Sequence, residues 1–190
     1  MENAHRIVSS EAEELILVDA EDLETGYLSK AECHDGGGIL HRAFSVFLFN
    51  AAGELLLQQR SAAKRLWPGY WSNTCCSHPR RGESMQIATS RRLRDELNIE
   101  ASLEFVYKFT YQAQFDERGA EYELCHVFLG QTETTVRPNE HEIAALRFVA
   151  ADNLLAQLAD EAGTYTPWFR MEWLTLLEEH RDALSRYCAI

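Results

Sequence analysis

GESMQIATSRRLRDEL, residues 82–97, has helical spacing, with Glu83 and Ser84 at its start and no Gly or Pro inside it. Strand-like segments surround it. Upstream, ELILVDA (14–20) reads as a strand and TGYLSK (25–30) as the turn and entry to the next element. HRAFSVFLFN (41–50), the turn AAGE and LLLQQR (55–60) read as a hairpin whose apolar faces carry Phe44, Val46, Leu48 and Leu55 to Leu57. Downstream, LEFVYKFTYQAQF and YELCHVFLGQT form two strands around the turn DERGAE, and LRFVAA a short one. NLLAQLADEA reads as a helix, and PWFRMEWLTLLEEHRDALSRY as a C-terminal helix begun by Pro167. Strands, one principal helix and more strands predict an α/β fold, a mixed sheet sandwiched between helices.

The chain has 190 residues, enough for one sizeable core, and no Ser/Pro/Gly linker divides it. A net charge of -12 argues against nucleic acid or an anionic membrane as partner, so an anionic substrate must meet a local cluster of Lys and Arg. No apolar run approaches the roughly 18 residues of a membrane span, and MENAHRIVSSEAEE is too polar and acidic for a secretory signal. The expected compartment is the cytoplasm, and the expected state a monomer or homodimer. Five cysteines, with Cys75 and Cys76 adjacent, fit free thiols in a reducing compartment better than a disulfide framework.

The chemistry concentrates in three places. WPGYWSNTCCSHP (67–79) sets the Cys76 thiol two residues before His78 in a Trp-rich loop able to keep a reactive group dry. ECHDGGGILH, Gly-rich and irregular, carries His34 and His41, and EYE carries Glu121 and Glu123. Carboxylates two apart on a strand share a face, so both can reach one ion. Three imidazoles and two carboxylates without a thiolate suit Mn, Mg, Fe or a distorted Zn better than a closed structural zinc.

The helix resembles the Nudix box, which ends in Arg-Glu, Glu-Glu and Gly. Here Arg91-Arg92, Asp95-Glu96 and Asn98 stand in those places. Arg92 thus puts positive charge where a Mg-binding acid would stand. With Lys30, QQRSAAKRLWPG, NTCCSHP, EYE and TPW, nearly the whole chain resembles the type I isopentenyl diphosphate isomerases. The resemblance implies one Nudix-like domain over 1–190, with a core of about 14–150 and a C-terminal helical segment 151–190.

It also implies roles. Cys76 and Glu123 become the catalytic pair, joined by Tyr111 and Trp168 beside the hydrocarbon. His34, His41, His78, Glu121 and Glu123 would bind one divalent metal (Mn2+, Mg2+ or Zn2+). Glu96 and the Cys76 backbone carbonyl would hold a Mg2+ that touches the substrate diphosphate, which Lys30, Arg60, Lys64 and Ser77 contact. Moving an unactivated double bond by one carbon needs a proton added at one end and another removed next door, through a tertiary carbocation or something close to it. Glu123, near Tyr111, would deliver the first proton and Cys76, its pKa lowered by nearby cations, would take the second. Trp168 would face the cation.

Plainer readings stand beside these. Trp67, Trp71 and Trp173 read as packing, Cys33, Cys75, Cys125 and Cys188 as small hydrophobes, and Arg91 and Arg94 as a solvated helix face. Arg92 and Glu96, at i and i+4, also read as an ion pair. Two other functions compete: a Nudix-type diphosphate hydrolase, and a non-enzymatic module in which Cys33, Cys75, Cys76, His34 and His78 hold a structural zinc.

Overall fold

The computed structural model describes residues 7–160 and 162–190. At its centre lies strand β3 (His41–Phe49), buried at every position but Arg42 and apolar from Ala43 to Phe49 except at Ser45, as a strand buried on both faces requires. Along one edge it pairs in parallel with the strand Gly119–Gln131, from His41 opposite Glu123 to Phe49 opposite Gln131. Its other edge is divided among three strands. Leu17 of β1 (Glu14–Val18) lies opposite His41, Cys75 to Ser77 lie opposite Val46 to Phe44, and Leu55 of β4 (Glu54–Arg60) lies opposite Phe49.

The remaining strands extend this frame. β2 (Glu24–Ser29) pairs with β1; β5 (Trp71–Ser72) pairs with β4; β6 (Cys75–Ser77) is the middle tenant of the β3 edge. β7 (Leu103–Asp116) forms a long hairpin with β8 (Gly119–Gln131), and β9 (Ile143–Ala150) covers β4. All pairs but β3–β8 are antiparallel, which makes the sheet mixed.

Alternation along β3 sends side chains to two cores. Phe44, Val46 and Leu48 pack with Leu93 and Leu97 of a helix that follows β6; Ala43, Phe47 and Phe49 pack with Phe169 and Trp173 from near the C-terminus. The short helix α1 (Lys30–His34) precedes β3, and α2 (Met85–Leu97) covers the first face. After β9 come α3 (Ala151–Asp160), α4 (Pro167–Glu179) over the second face, and α5 (Arg181–Leu184). The sandwich expected from the sequence is present. The C-terminal segment is integral to it, since Trp168, Phe169 and Trp173 share one core with β3, β4 and β8.

Helix α2 starts where its sequence says, with the Ser84 side chain accepting from the Ile87 N–H at 3.3 Å. It ends on Asn98 at φ 56, ψ 40, the left-handed cap that Gly usually supplies and Asn tolerates best among the rest. The departure from the box therefore leaves the cap geometry intact.

Three expectations are corrected. TGYLSK is no turn: Gly26 to Ser29 pair with Leu17 to Glu14, and the turn lies earlier, at Asp19 to Leu23. The 41–60 hairpin closes only at Phe49 and Leu55, because residues 72–77 are wedged between its arms. Thr74 fills the gap: its hydroxyl donates to the Leu56 carbonyl at 2.6 Å and accepts from the Leu48 N–H at 2.8 Å. The C-terminal helix breaks at His180, whose φ of -125 leaves the helical range and whose ring stacks on Tyr107 at 4.5 Å. The NLLAQLADEA helix is seen to Asp160; position 161 lies outside the described residues, and Ala162–Thr164 form a 3-10 turn. No helix among the described residues is long and apolar enough to cross a membrane.

Replacing Thr74 with Val keeps the shape but leaves a buried N–H and a buried carbonyl unpaired, at a cost of about 2–4 kcal/mol. Urea unfolding should show this as a lower midpoint at unchanged slope. Parental stability would mean that the Thr74 hydroxyl does not hold the arms.

Candidate active site and metal centre

The β3–β8 register sets His41 directly beside Glu123, and the β7–β8 hairpin sets Tyr111 on the other side of Glu123. One cross-strand line therefore carries an imidazole, a carboxylate and a phenol. His34 reaches the same place from the end of α1, which a capping box of Ser29 and Glu32 starts. The β7–β8 turn packs tightly on it: Gly119 has φ 142, and a Cβ there would lie 2.0 Å from the His34 carbonyl oxygen. His78 enters from the loop after β6.

The five side chains converge. Their ligand atoms all lie within 4.8 Å of one another, and the three imidazole centroids are 4.8–5.2 Å apart. His34 Nδ1 lies 2.6 Å from the Lys30 carbonyl and His41 Nδ1 2.7 Å from the Ile39 carbonyl. A carbonyl only accepts, so Nδ1 carries a proton in both rings and each Nε2 points inward. His34 Nε2 is 2.7 Å from Glu121 Oε2, His78 Nε2 is 2.7 Å from Glu123 Oε1, and His41 Nε2 is 3.7 Å from that same oxygen.

Two of these inward atoms, His41 Nε2 and Glu121 Oε2, are buried without hydrogen-bond geometry to any group among the described residues. Orphaned lone pairs beside three more donors fit a divalent cation. The electrostatics divide the cluster: against its burial, Glu121 and the Lys30 carbonyl raise His34. Burial first, then its neighbouring imidazoles, hold His78 well below the usual histidine range, and burial with His34 takes His41 down to about 4. Both are neutral ligands at pH 7. Burial opposes ionisation of Glu121, but His34, Arg60 and His41 bring it down to about 2. Burial and the Glu121 charge push Glu123 well up.

Four of the five ligands, His34, His78, Glu121 and Glu123, line a cavity of about 230 Å3 together with Cys76, Ser77, Tyr111 and Trp168. The Tyr111 hydroxyl donates to Glu123 Oε2 at 2.7 Å. Trp168 is fixed by its indole N–H on Ser72 Oγ at 3.0 Å and by Trp67, edge-on at 5.1 Å. Its face already carries a cation, with Arg60 Cζ 5.2 Å from the ring centroid.

The positive wall is Lys30, Arg60, Lys64, Arg65 and Arg92. Lys30 Nζ is 2.8 Å from Ser9 Oγ and 3.3 Å from Glu11; Lys64 pairs with Glu142; Arg60 donates to the carbonyls of Trp67 and Leu66. Glu142, buried and lining the cavity, went unnoticed in the sequence because EHE before a strand reads as a solvated acidic run. Glu96 is placed differently from Ser77 and the lysines. It does not line the cavity: Arg92 Nε binds its Oε1 at 2.7 Å, and Arg92 continues to Glu142 at 3.4 Å and the Val8 carbonyl at 2.9 Å. The ion-pair reading of Arg92 and Glu96 is thus present.

Two further sequence readings are corrected. The Cys76 thiol is not lowered: burial pushes it up to about 12, with Glu96 and Glu123 adding to the rise and Arg60, 4.0 Å away, opposing it. The cysteine-rich zinc site does not assemble, since the metal-competent group among the described residues contains no cysteine. Cys33 faces the Leu28 carbonyl and Cys75 lies in the core beneath α2. All five thiols are unbridged, as expected.

The NUDIX domain family matches residues 39–169. The chain is 41% identical over 174 residues to Isopentenyl-diphosphate Delta-isomerase 1 of Photorhabdus laumondii, covering 90% of this chain and 99% of that protein. It is 46% identical over 153 residues to Isopentenyl-diphosphate Delta-isomerase of Nocardia farcinica, covering 80% and 87%. In fold it is similar to a Deinococcus radiodurans protein of known crystal structure, with a TM-score of 0.66 at 22% identity, covering 92% of this chain and 99% of that one.

His41→Ala should keep the fold and weaken Mn2+ binding by about 10-fold or more, the effect expected for loss of a direct ligand. Titration calorimetry on metal-stripped protein reads this. Undiminished affinity would remove His41 from the ligand set.

Proposed function

The chain belongs to the isopentenyl-diphosphate Delta-isomerase family, built on the NUDIX domain, and we propose that Cys76 and Glu123 are the groups that move its protons. It interconverts isopentenyl and dimethylallyl diphosphate. One observation carries the assignment of the pair. Glu123 is a buried carboxyl shared between the Tyr111 hydroxyl and His78, in the cavity that also holds Cys76 and Trp168.

The two groups arrive from opposite edges of β3, Glu123 on β8 and Cys76 on β6. Toward dimethylallyl diphosphate, Glu123 with Tyr111 gives a proton to the terminal alkene carbon and Cys76 takes one from the carbon next to the cationic centre. In reverse the roles exchange, and a thiol kept neutral by burial is already set to give its proton. As a base it relies on Arg60, the guanidinium nearest its sulfur. Trp168 and Tyr111 supply π faces and exclude the water that would quench a tertiary cation.

His34, His41, His78, Glu121 and Glu123 would hold the divalent cation, which supplies fixed positive charge beside the reacting carboxyl. Mn2+, Mg2+ and Zn2+ all suit such a set. Lys30, Arg60, Lys64 and Ser77 are read as the diphosphate clamp. Glu96 and the Cys76 carbonyl would hold a Mg2+ that touches the diphosphate, Arg92 engaging only Oε1 of that carboxylate. The acidic balance favours a small diphosphate over nucleic acid or membrane as partner, and we read the chain as cytoplasmic, a monomer or homodimer. Hydrolysis is disfavoured because Arg92, buried in ion pairs, occupies a position where a Nudix hydrolase carries an acid.

Cys76→Ala should fold, keep its metal and lose isomerisation by several orders of magnitude, read by NMR as solvent deuterium entering isopentenyl diphosphate. Near-parental turnover would sink the pair.

Trp168→Phe should retain some activity and Trp168→Leu, apolar without a quadrupole, should lose much more, with substrate affinity little changed in either. A cationic ammonium analogue of the intermediate should bind distinctly less tightly to the Leu variant. Equal losses of analogue and substrate affinity would mean that the indole only shapes the slot.

A further inference from the structure

Behind the cavity lies a polar cluster that the reaction has not used. Glu172, on the inner face of α4 one turn after Trp168, is fully buried. Its Oε1 is 3.4 Å from Cys125 Sγ, which is 3.5 Å from Ser45 Oγ, so the thiol links the Ser45 hydroxyl to the Glu172 carboxyl. Among the described residues its Oε2 has no hydrogen-bond partner. A buried carboxyl with an orphan oxygen costs stability and calls for a reason.

The sheet register supplies one. Ser45 lies directly opposite Cys76 in the β3–β6 pair, so the two side chains share a face, and Cys125 lies two residues beyond Glu123 on the matching face of β8. We propose that Glu172 is a positioning residue for Cys76, acting through the Ser45 hydroxyl on their shared sheet face. The proposal deepens the assignment of Cys76 as a proton-transfer group and rests on it.

The working form is the neutral acid, which can donate as well as accept within the cluster. Burial pushes Glu172 up to about 8, with the Ser45 and Cys125 side chains pulling the other way. The titratable groups that face it are Cys76 from β6, Glu123 and Cys125 from β8, and Tyr107 from β7, whose hydroxyl donates to the Glu172 backbone carbonyl; Glu179 on α4 also bears on Tyr107. Each of the four facing groups is pushed upward by a charge at Glu172, so ionisation would disturb the thiol and the carboxyl together.

The test compares Glu172→Gln with Glu172→Leu at saturating metal. The Leu variant should lose about 10- to 100-fold in kcat, the scale of a displaced catalytic group, with KM unchanged. The Gln variant should recover most of the turnover at pH 7. Wild-type kcat should fall as pH rises through about 8, where Glu172 ionises, and the Gln variant should lack that limb. If the Leu variant does not fold, Ser45→Ala takes its place and should show the same split between kcat and KM. Equal activity of the Gln and Leu variants, or an unchanged alkaline limb in Gln, would overturn the proposal.

Alkylation of Cys76 by iodoacetamide, followed by peptide mapping, needs no turnover and separates the two levels of the argument. A changed rate in Glu172→Leu supports positioning even if Cys76 proves dispensable for catalysis. An unchanged rate refutes positioning and leaves the role of Cys76 standing.

Discussion

The parallel pairing of β3 with β8 is the constraint from which the site follows. Nine consecutive partners, from His41 with Glu123 to Phe49 with Gln131, fix the register. Both faces of β3 are buried, so a slip of one residue would exchange the two cores and turn Glu121 and Glu123 away from the imidazoles. The register is therefore held by apolar packing far from the chemistry. Phe44, Val46 and Leu48 fit only the α2 side, and Phe47 and Phe49 only the α4 side.

That rigidity lets the molecule gather groups that would repel or dehydrate one another elsewhere. Two carboxyls and three imidazoles are almost fully buried, and their opposite shifts show what binds them. Glu121 is ionised against its burial by His34, while Glu123 yields to the Glu121 charge. A cluster with this much uncompensated polarity is stable only with a cation at its centre or with its protons shared inside it. Both conditions serve a reaction in which protons must be kept from bulk water.

Much of this was legible in the sequence. The helix boundaries followed from Ser84 and Asn98, the strands from their apolar runs, and the convergence of three histidines and two glutamates from residue types and spacing. What escaped was tertiary in origin. Nothing local marks residues 72–77 as a wedge between β3 and β4, because Thr74 shows its role only when two strand backbones stand on either side of it. Nothing local separates Glu142 from its acidic neighbours or Glu172 from an ordinary amphipathic helix. The thiol of Cys76 was misjudged because burial outweighs the one guanidinium beside it, and burial cannot be counted from the cations in a motif.

The relation to the hydrolases of this fold lies in the charge of α2. Four N–H groups at a helix start and a run of helix acids can bind metal ions and diphosphate, but here Arg92 sits within that run and is tied to Glu96 and Glu142. The buried pairs consume the negative charge that would otherwise recruit further cations to the helix. A group that could hold a cation stands instead near the start of β8 and on three histidines, at the cavity that Cys76 and Trp168 also line. A cation held there would supply positive charge beside the Glu123 carboxyl. Buried charge on this sheet is thus divided between an ion-paired guanidinium on α2 and the histidine–glutamate cluster at the start of β8.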